Sequence, residues 1–137
     1  MPEITYSNQA VEQAATDLKA QLNDGIFYMR LYKNNFSPVP GDAAGAFTEA
    51  DFDGYAAIDV TGTWGAITKI VNGLYEIAGA EFSFLGGTTA NQTVYGWYIE
   101  GSGEWICGKA FPAPILVKSG LFVKVTVNPQ TVSLSIL

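Results

Sequence analysis

Two groups of carboxylates come nearest to catalytic chemistry by their type and spacing. Asp51, Asp53 and Asp59 lie in the middle of the chain, and Glu100 and Glu104 lie on either side of a short glycine-rich segment. Two facing carboxylates can hydrolyse a glycosidic bond. A structural interpretation is simpler, because acidic side chains stabilise helix N-termini and the two glutamates flank an exposed turn. We therefore predict no catalytic residues.

Histidine and cysteine usage restricts the chemistry further. The chain has no histidine and a single cysteine, Cys107. The commonest general base and transition-metal ligand is therefore missing, and neither a structural zinc site nor an intrachain disulfide can be built. Cys107 lies between two residues of a predicted strand, which indicates a buried structural thiol. Residues 51–54, "DFDG", resemble part of a calcium loop, but its later ligands are missing. We expect no metal, no cofactor and no enzymatic activity.

Residues 93–111, "TVYGWYIEGSGEWICGKAF", hold two aromatic runs around a Gly-Ser-Gly segment, which predicts a β-hairpin. Trp97 and Trp105 are either packing groups, in a core or at a subunit interface, or a platform for a ligand. Aromatic side chains in alternating strands usually face another sheet, which favours packing. A sugar platform needs exposed rings beside polar side chains, and Asn91 and Gln92 are near enough to keep that alternative open.

Composition bears on the class of partner. The chain has 137 residues, with 7 Lys and Arg against 13 Asp and Glu, a net charge of −6 and no dense basic patch. Nucleic acid and anionic membranes are therefore poor partners, since binding to either depends on clustered cations. Only 15% of residues are charged and 48% are hydrophobic, which favours burial in an assembly. The N-terminus has neither the basic nor the apolar region of a signal peptide, and no apolar run approaches the ~18 residues of a membrane span, so we expect neither classical secretion nor insertion in a membrane.

One amphipathic helix is predicted near the N-terminus, over about residues 8–22. It has Ser7 or Asn8 as its N-cap, and Asn23-Asp24-Gly25 ends it. The apolar residues that recur at helical spacing on one face are Val11, Ala14, Ala15, Leu18 and Leu22. This face predicts packing against a sheet.

The next segment, residues 25–34, predicts a strand with Phe27, Met29 and Leu31 on one face. The opposite face carries Tyr28, Arg30 and Tyr32. Residues 34–47 hold two prolines and two glycines and predict a long surface loop.

Thr48, three residues before Asp51, predicts a short helical turn that Gly54 closes. The remaining pattern is β, and this spacing of short strands after one helix indicates an antiparallel arrangement. We predict a mainly β fold, an antiparallel β-sandwich of jelly-roll type with one N-terminal α-helix, in a single domain over residues 1–137. Strands are expected near residues 56–61, 66–71, 74–79, 81–85, 93–100, 104–111, 115–117, 121–127 and 131–136.

Several segments resemble, in order, the small β-rich structural proteins of tailed bacteriophages and prophages. They are the N-terminal helix, "MRLYKNNFSPVPG", "FTEADFDGYA", "VYGWYIE", "KAFPAPILVKSG" and "VKVTVNPQTVSLS". The resemblance covers most of the chain, although residues 62–90 depart from it by being rather apolar. It implies a virion component near the head with a β-sandwich fold and no enzymatic role, and it assigns no functional residues.

The leading functional hypothesis is a capsid decoration or cement protein that stabilises the head by bridging capsid subunits. Its expected partners are the major capsid protein and copies of itself, with a trimer favoured, and no nucleic acid or membrane. Its expected location is the virion, after synthesis in the host cytoplasm. The alternative is a carbohydrate-binding domain of a tail fibre or baseplate. A small glycan-active enzyme is a third hypothesis, which the missing histidines disfavour.

Overall fold

The computed structural model describes residues 5–131 and shows a mainly β protein with one helix. The elements are α1 (Asn8–Asp24), β1 (Tyr28–Tyr32), β2 (Ile58–Asp59), β3 (Ile67–Val71), β4 (Leu74–Ile77), β5 (Ala80–Leu85), β6 (Asn91–Gly101), β7 (Glu104–Lys118), β8 (Phe122–Val127) and β9 (Gln130–Thr131).

The strands form three sheets, with the orders β2-β1-β6-β7, β3-β4-β9 and β5-β8. All pairings in the first two sheets are antiparallel. The chain divides into two compact units, one with α1 and residues 61–80 and 126 onward, the other with residues 26–60 and 81–125. That residues 1–137 form one domain stays a prediction.

Helix α1 begins where the sequence predicts. The Ser7 hydroxyl accepts a hydrogen bond from the Ala10 N–H at 3.1 Å, which confirms the N-cap. The buried face consists of Val11, Ala15 and Leu22, and the first two pack with Tyr75 of β4. The helix ends at Asp24, two residues beyond the predicted end.

Strand β1 is buried on the predicted face, because Phe27, Met29 and Leu31 all lie in the core. Tyr32, on the opposite face, is also fully buried. The strand lies between β2 and β6 in its sheet. Because β1 is a central strand that is covered on both faces, buried residues occur on both of its faces.

The β6–β7 hairpin is confirmed, with Ser102 and Gly103 in the left-handed region at φ 54° and 79°. The two strands predicted near 104–111 and 115–117 are one strand, so that division was wrong. Ala110 and Ile115 of β7 pair with Gly96 and Val94 of β6. The β7 residues between them, which include Pro112 and Pro114, form an irregularity in the register. Proline is tolerated there because β7 is an edge strand and the bulged residues need donate no ladder hydrogen bond.

The helical turn predicted over residues 48–54 is also wrong. The 3-10 turn lies earlier, at Ala44–Ala46. The Ala50 N–H donates to the Leu31 carbonyl at 2.9 Å, so this segment extends alongside the end of β1 instead of turning on itself. Long-range backbone pairing has overridden a local capping pattern.

Strand lengths also differ from the prediction. The strand predicted near 56–61 is only two residues long in the structure, where it is β2. Strand β6 begins two residues before the predicted strand 93–100 and ends one residue after it. Only the first residue of the strand predicted at 131–136 lies within the described part of the chain, and it belongs to β9.

A substitution at Gly96 tests how closely the sheet β2-β1-β6-β7 is packed. A Cβ at this position would collide with the Tyr32 hydroxyl and the Lys109 carbonyl. We expect Gly96→Ala to lower the free energy of unfolding by about 1–3 kcal/mol, as overpacking usually does. Gly41→Ala is the control, since a Cβ there meets nothing within 4 Å. Equal urea midpoints for the two variants would contradict the described packing.

Candidate functional site

The aromatic residues of the long loop and of the central sheet meet on one face of β1 and β6. Tyr32 and Tyr98 project from these strands and are buried, as is Phe47 of the loop. Phe47 stacks on Tyr98 with ring centroids 4.1 Å apart and meets Tyr32 edge-on at 5.3 Å. Phe36, Tyr95 and Trp105 are partly buried and pack against these three residues. We call Tyr32, Phe36, Phe47, Tyr98 and Trp105 the aromatic cluster.

Trp105 holds the loop onto the sheet. Its indole Nε1 donates to the Asp42 carbonyl at 2.7 Å, and its ring meets Phe47 edge-on with centroids 5.2 Å apart. Packing and a satisfied N–H are the usual state of a partly buried tryptophan. The packing interpretation is therefore confirmed for Trp105.

The loop over residues 34–47 is tied down at both ends. The Asn34 side chain donates to the Ala46 carbonyl and accepts from the Thr48 N–H, each at 2.8 Å. The Tyr32 hydroxyl donates to the Phe36 carbonyl at 3.0 Å. The predicted surface loop is therefore a covering layer over one face of the sheet.

Trp97 lies outside the aromatic cluster. It is half-buried, and its neighbours in register are Leu31 on β1 and Lys109 on β7. Adjacent residues of a strand point to opposite faces, so Trp97 and Tyr98 do not share a face. The choice between packing group and ligand platform for Trp97 stays a prediction.

The polar residues of the predicted sugar platform lie at the far end of the hairpin from Trp105. Asn91 pairs with Lys118, whereas Trp105 pairs with Glu100 near the turn. The Gln92 amide is engaged with Asp51, to which its Nε2 donates at 2.6 Å. The structure does not bring these two residues together with Trp105.

The carboxylates near residue 51 stabilise local structure. Asp51 accepts from Gln92 and from Lys33, the latter at 3.0 Å, and these hydrogen bonds lower the pKa of its carboxyl group. The Asp53 carboxylate accepts from the Thr89 N–H at 3.1 Å. Asp51 therefore has an ion pair and amide contacts in place of the predicted helix-capping role.

The other three candidate carboxylates come together at the opposite end of the sheet. Asp59 of β2 and Glu100 of β6 lie opposite Tyr28 on its two sides, and Glu104 begins β7 across from Gly101. Asp59 and Glu100 are thus two strand spacings apart, about 10 Å. Sequence proximity had grouped Asp59 with Asp51 and Asp53, and the topology groups it with the two glutamates.

A hydrogen-bonded group that the sequence analysis missed joins β1 to the segment after the loop. Arg30 Nη1 lies 2.7 Å from Glu49 Oε2, and the Tyr55 hydroxyl donates to the same carboxylate at 2.7 Å. The Leu31 N–H donates to the Tyr55 hydroxyl at 3.3 Å. Burial is the main cause that raises the pKa of Tyr55, and the Glu49 carboxylate raises it further. Arg30 in a central strand was the available signal, because a partly buried cation needs a partner.

Cys107 is half-buried rather than fully buried, opposite Ile99 of β6. Burial raises the pKa of its thiol to about 12. The thiol is therefore protonated near neutral pH and is a poor nucleophile. Among residues 5–131 no group of three or more His, Cys, Asp and Glu side chains is placed to hold a metal ion.

Exposed apolar side chains surround the turn between β7 and β8. The Gly86 N–H donates to the Leu121 carbonyl, and the Gly120 N–H to the Gly86 carbonyl, both at 2.9 Å. These bonds place the end of β5 against the turn. The exposed side chains here are Leu85, Leu116, Leu121 and Phe122, which we call the apolar rim.

In comparisons with known proteins, no family model, no curated protein and no solved structure matches the chain. Within the described residues no helix is long and apolar enough to cross a membrane. The function therefore has to be inferred from the geometry of this chain.

Trp105→Ala should lower the free energy of unfolding by about 3 kcal/mol, the lower end of the range for tryptophan, because the ring is half-buried. It should also make residues 34–47 sensitive to protease, since Asp42 loses its contact. Urea unfolding and limited proteolysis measure the two effects.

Ser102→Asp is the control for Trp105→Ala, because aspartate tolerates the positive φ of this exposed turn. Unfolding of Trp105→Ala at the same urea concentration as the wild type, with residues 34–47 still resistant to protease, would contradict the packing role of Trp105.

The Asp51 contacts predict a pH dependence. The pKa of folded Asp51 lies below its ordinary value of about 3.8, so the carboxylate stabilises the fold above that value and the contribution disappears as the pH falls through the folded pKa. Asp51→Asn cannot show this change. Melting temperatures of the wild type and the variant should therefore differ near neutral pH and converge in acid, and a constant difference would contradict the assignment.

Proposed function

We propose that this protein is a bacteriophage virion structural protein, a capsid decoration or cement protein that stabilises the head by bridging capsid subunits. The observation that carries the proposal is the apolar rim, a group of large exposed side chains on hydrogen-bonded strands and a tight turn. Exposed apolar groups of this kind mark surfaces that contact other proteins.

The assignment of the polar and aromatic residues supports the same proposal. Trp105 and Phe47 fasten the loop, and Asp51 and Asp53 hold backbone segments together. Asp51, Asp53 and Trp105 thus have structural partners. The exposed surface is what the fold leaves available for function.

We further propose an antiparallel sandwich of jelly-roll type, in which the sheet β5-β8 faces the sheet β2-β1-β6-β7. Strand β5 buries Phe82 and Phe84 and exposes the residues between them, and β8 buries Val123 and Val125 in the same alternation. One-sided burial is typical of a sheet that faces another layer.

The proposed mechanism is mechanical. A rigid β domain that lies across a boundary between capsid subunits adds interface area and so opposes their separation. Each contact can be weak, because a closed ring of copies around a symmetry axis, such as a trimer, multiplies the contacts through avidity.

One observation favours the second candidate, a carbohydrate-binding domain of a tail fibre or baseplate. Trp97 is partly exposed and lies outside the aromatic cluster. A partly exposed indole ring can stack on a ligand. In this alternative, Trp97→Ala abolishes glycan binding and leaves melting nearly unchanged.

The experiment for the proposed function uses particles made by the phage or prophage that encodes the chain. Immunogold label against the protein should lie on the heads. Particles that lack the gene should lose their DNA at a lower temperature, and added purified protein should restore the wild-type value. Label confined to tail tips, or equal heat resistance with and without the protein, would contradict the proposal.

A further inference from the structure

The sheet β2-β1-β6-β7 has two chemically different ends. Strand β6 runs the full length between them, from Asn91, which pairs with Lys118, to Gly101, which pairs with Glu104. β6 has eleven residues, and at about 3.3 Å per residue its two ends lie roughly 33 Å apart. Side chains at the two ends therefore cannot contact one another within one molecule.

The first end is acidic. It carries Asp59, Glu100 and Glu104 on three different strands, of which Asp59 and Glu104 are exposed. Gly101 lies against the Ile26 carbonyl, which places Ile26 here with 67% of its surface exposed. The nearby Arg30 guanidinium forms its ion pair with Glu49, and the Glu100 carboxylate also interacts with it. We call Ile26, Asp59, Glu100 and Glu104 the acidic end.

The second end combines the apolar rim with lysines. Lys118 ends β7 beside the turn, and Lys124 lies two residues after Phe122 on the same exposed face of β8. Both lysines are exposed, and within the described residues neither forms an ion pair. Residues 105–127 contain three lysines and no carboxylate, although the chain as a whole carries a charge of −6. We call the apolar rim with Lys118 and Lys124 the lysine end.

Asp51 and Asp53 lie near the lysine end, and within the described residues neither forms an ion pair with Lys118 or Lys124. Asp51 is paired with Lys33, and the Asp53 carboxylate accepts a backbone N–H from Thr89. Within the part of the chain that the structure describes, the two lysines of the end itself form no ion pair. Their charge is available to an incoming carboxylate.

The two ends are complementary, since each presents an exposed apolar side chain beside charges of opposite sign. We propose that copies of this chain associate head-to-tail, with the acidic end of one copy against the lysine end of the next. A second copy is the partner that fits because the same chain carries both halves of the contact. Such a heterologous contact closes into a ring when the rotation between copies permits it. Burial of Ile26 and Phe122 supplies the apolar centre, and the charges set the orientation.

This inference deepens the proposed function and rests on it for its biological setting, although the purified chain alone can test the association. The two blocking variants are Phe122→Glu at the lysine end and Ile26→Lys at the acidic end. Phe122 and Ile26 are 55% and 67% exposed, so the fold should tolerate both changes. The matched controls are Val71→Glu and Ile70→Lys on β3, at residues that are 57% and 45% exposed.

Sedimentation velocity of the wild type should show concentration-dependent association that weakens with added salt. Each blocking variant should raise the dissociation constant at least about tenfold, whereas the controls leave it unchanged. A mixture of the two blocking variants should regain association, because the intact acidic end of Phe122→Glu can meet the intact lysine end of Ile26→Lys. Melting curves that match the controls show that the variants are folded.

Three results would overturn the inference: a wild type that stays monomeric at every concentration, blocking variants that associate as the wild type does, or a mixture that forms no complex. Binding of Ile26→Lys, which leaves the apolar rim intact, to gene-deleted heads separates this inference from the proposed function. Heads that bind wild-type monomers individually refute head-to-tail association and leave the cement function intact. The expected mixing result without any binding to heads refutes the cement function and leaves the association intact.

Discussion

The stacking of Phe47 on Tyr98, with ring centroids 4.1 Å apart, is the contact on which the covered second face of the central sheet depends. One face of β1 is buried by Phe27, Met29 and Leu31, whereas the other would leave Tyr32 and Tyr98 exposed to water without the loop. Phe47 brings the loop onto these tyrosines, and Trp105 fixes it through the Asp42 carbonyl. Burial also raises the pKa of Tyr98 to about 12, so its hydroxyl remains neutral.

This constraint separates what the sequence could predict from what it could not. The N-cap at Ser7, the buried face of β1 and the β6–β7 hairpin follow from local periodicity and turn chemistry, and all three are confirmed. The segment after Thr48 was predicted to be helical from its capping pattern. It is extended because Ala50 pairs with Leu31, nineteen positions earlier, and local spacing carries no information about such a partner.

The candidate site shows the same division. The sequence identified the carboxylates and tryptophans but grouped them by proximity along the chain. Register across β1 instead places Asp59 with Glu100 and leaves Asp51 with Lys33 and Gln92. The contrast between an acidic end and a lysine end can be recognised only once the strand order is known. The acidic end, for example, brings together Asp59 and Glu100, which are more than forty positions apart in the sequence.

We propose that the surfaces of the protein carry its function and that the interior holds those surfaces rigid. Hydrogen–deuterium exchange of the protein, free and bound to gene-deleted heads, tests this claim most directly. We predict slower exchange on binding for the Gly86 and Gly120 amides at the apolar rim, with no change in the loop over residues 34–47. Unchanged exchange at the rim, or protection confined to the loop, would contradict it.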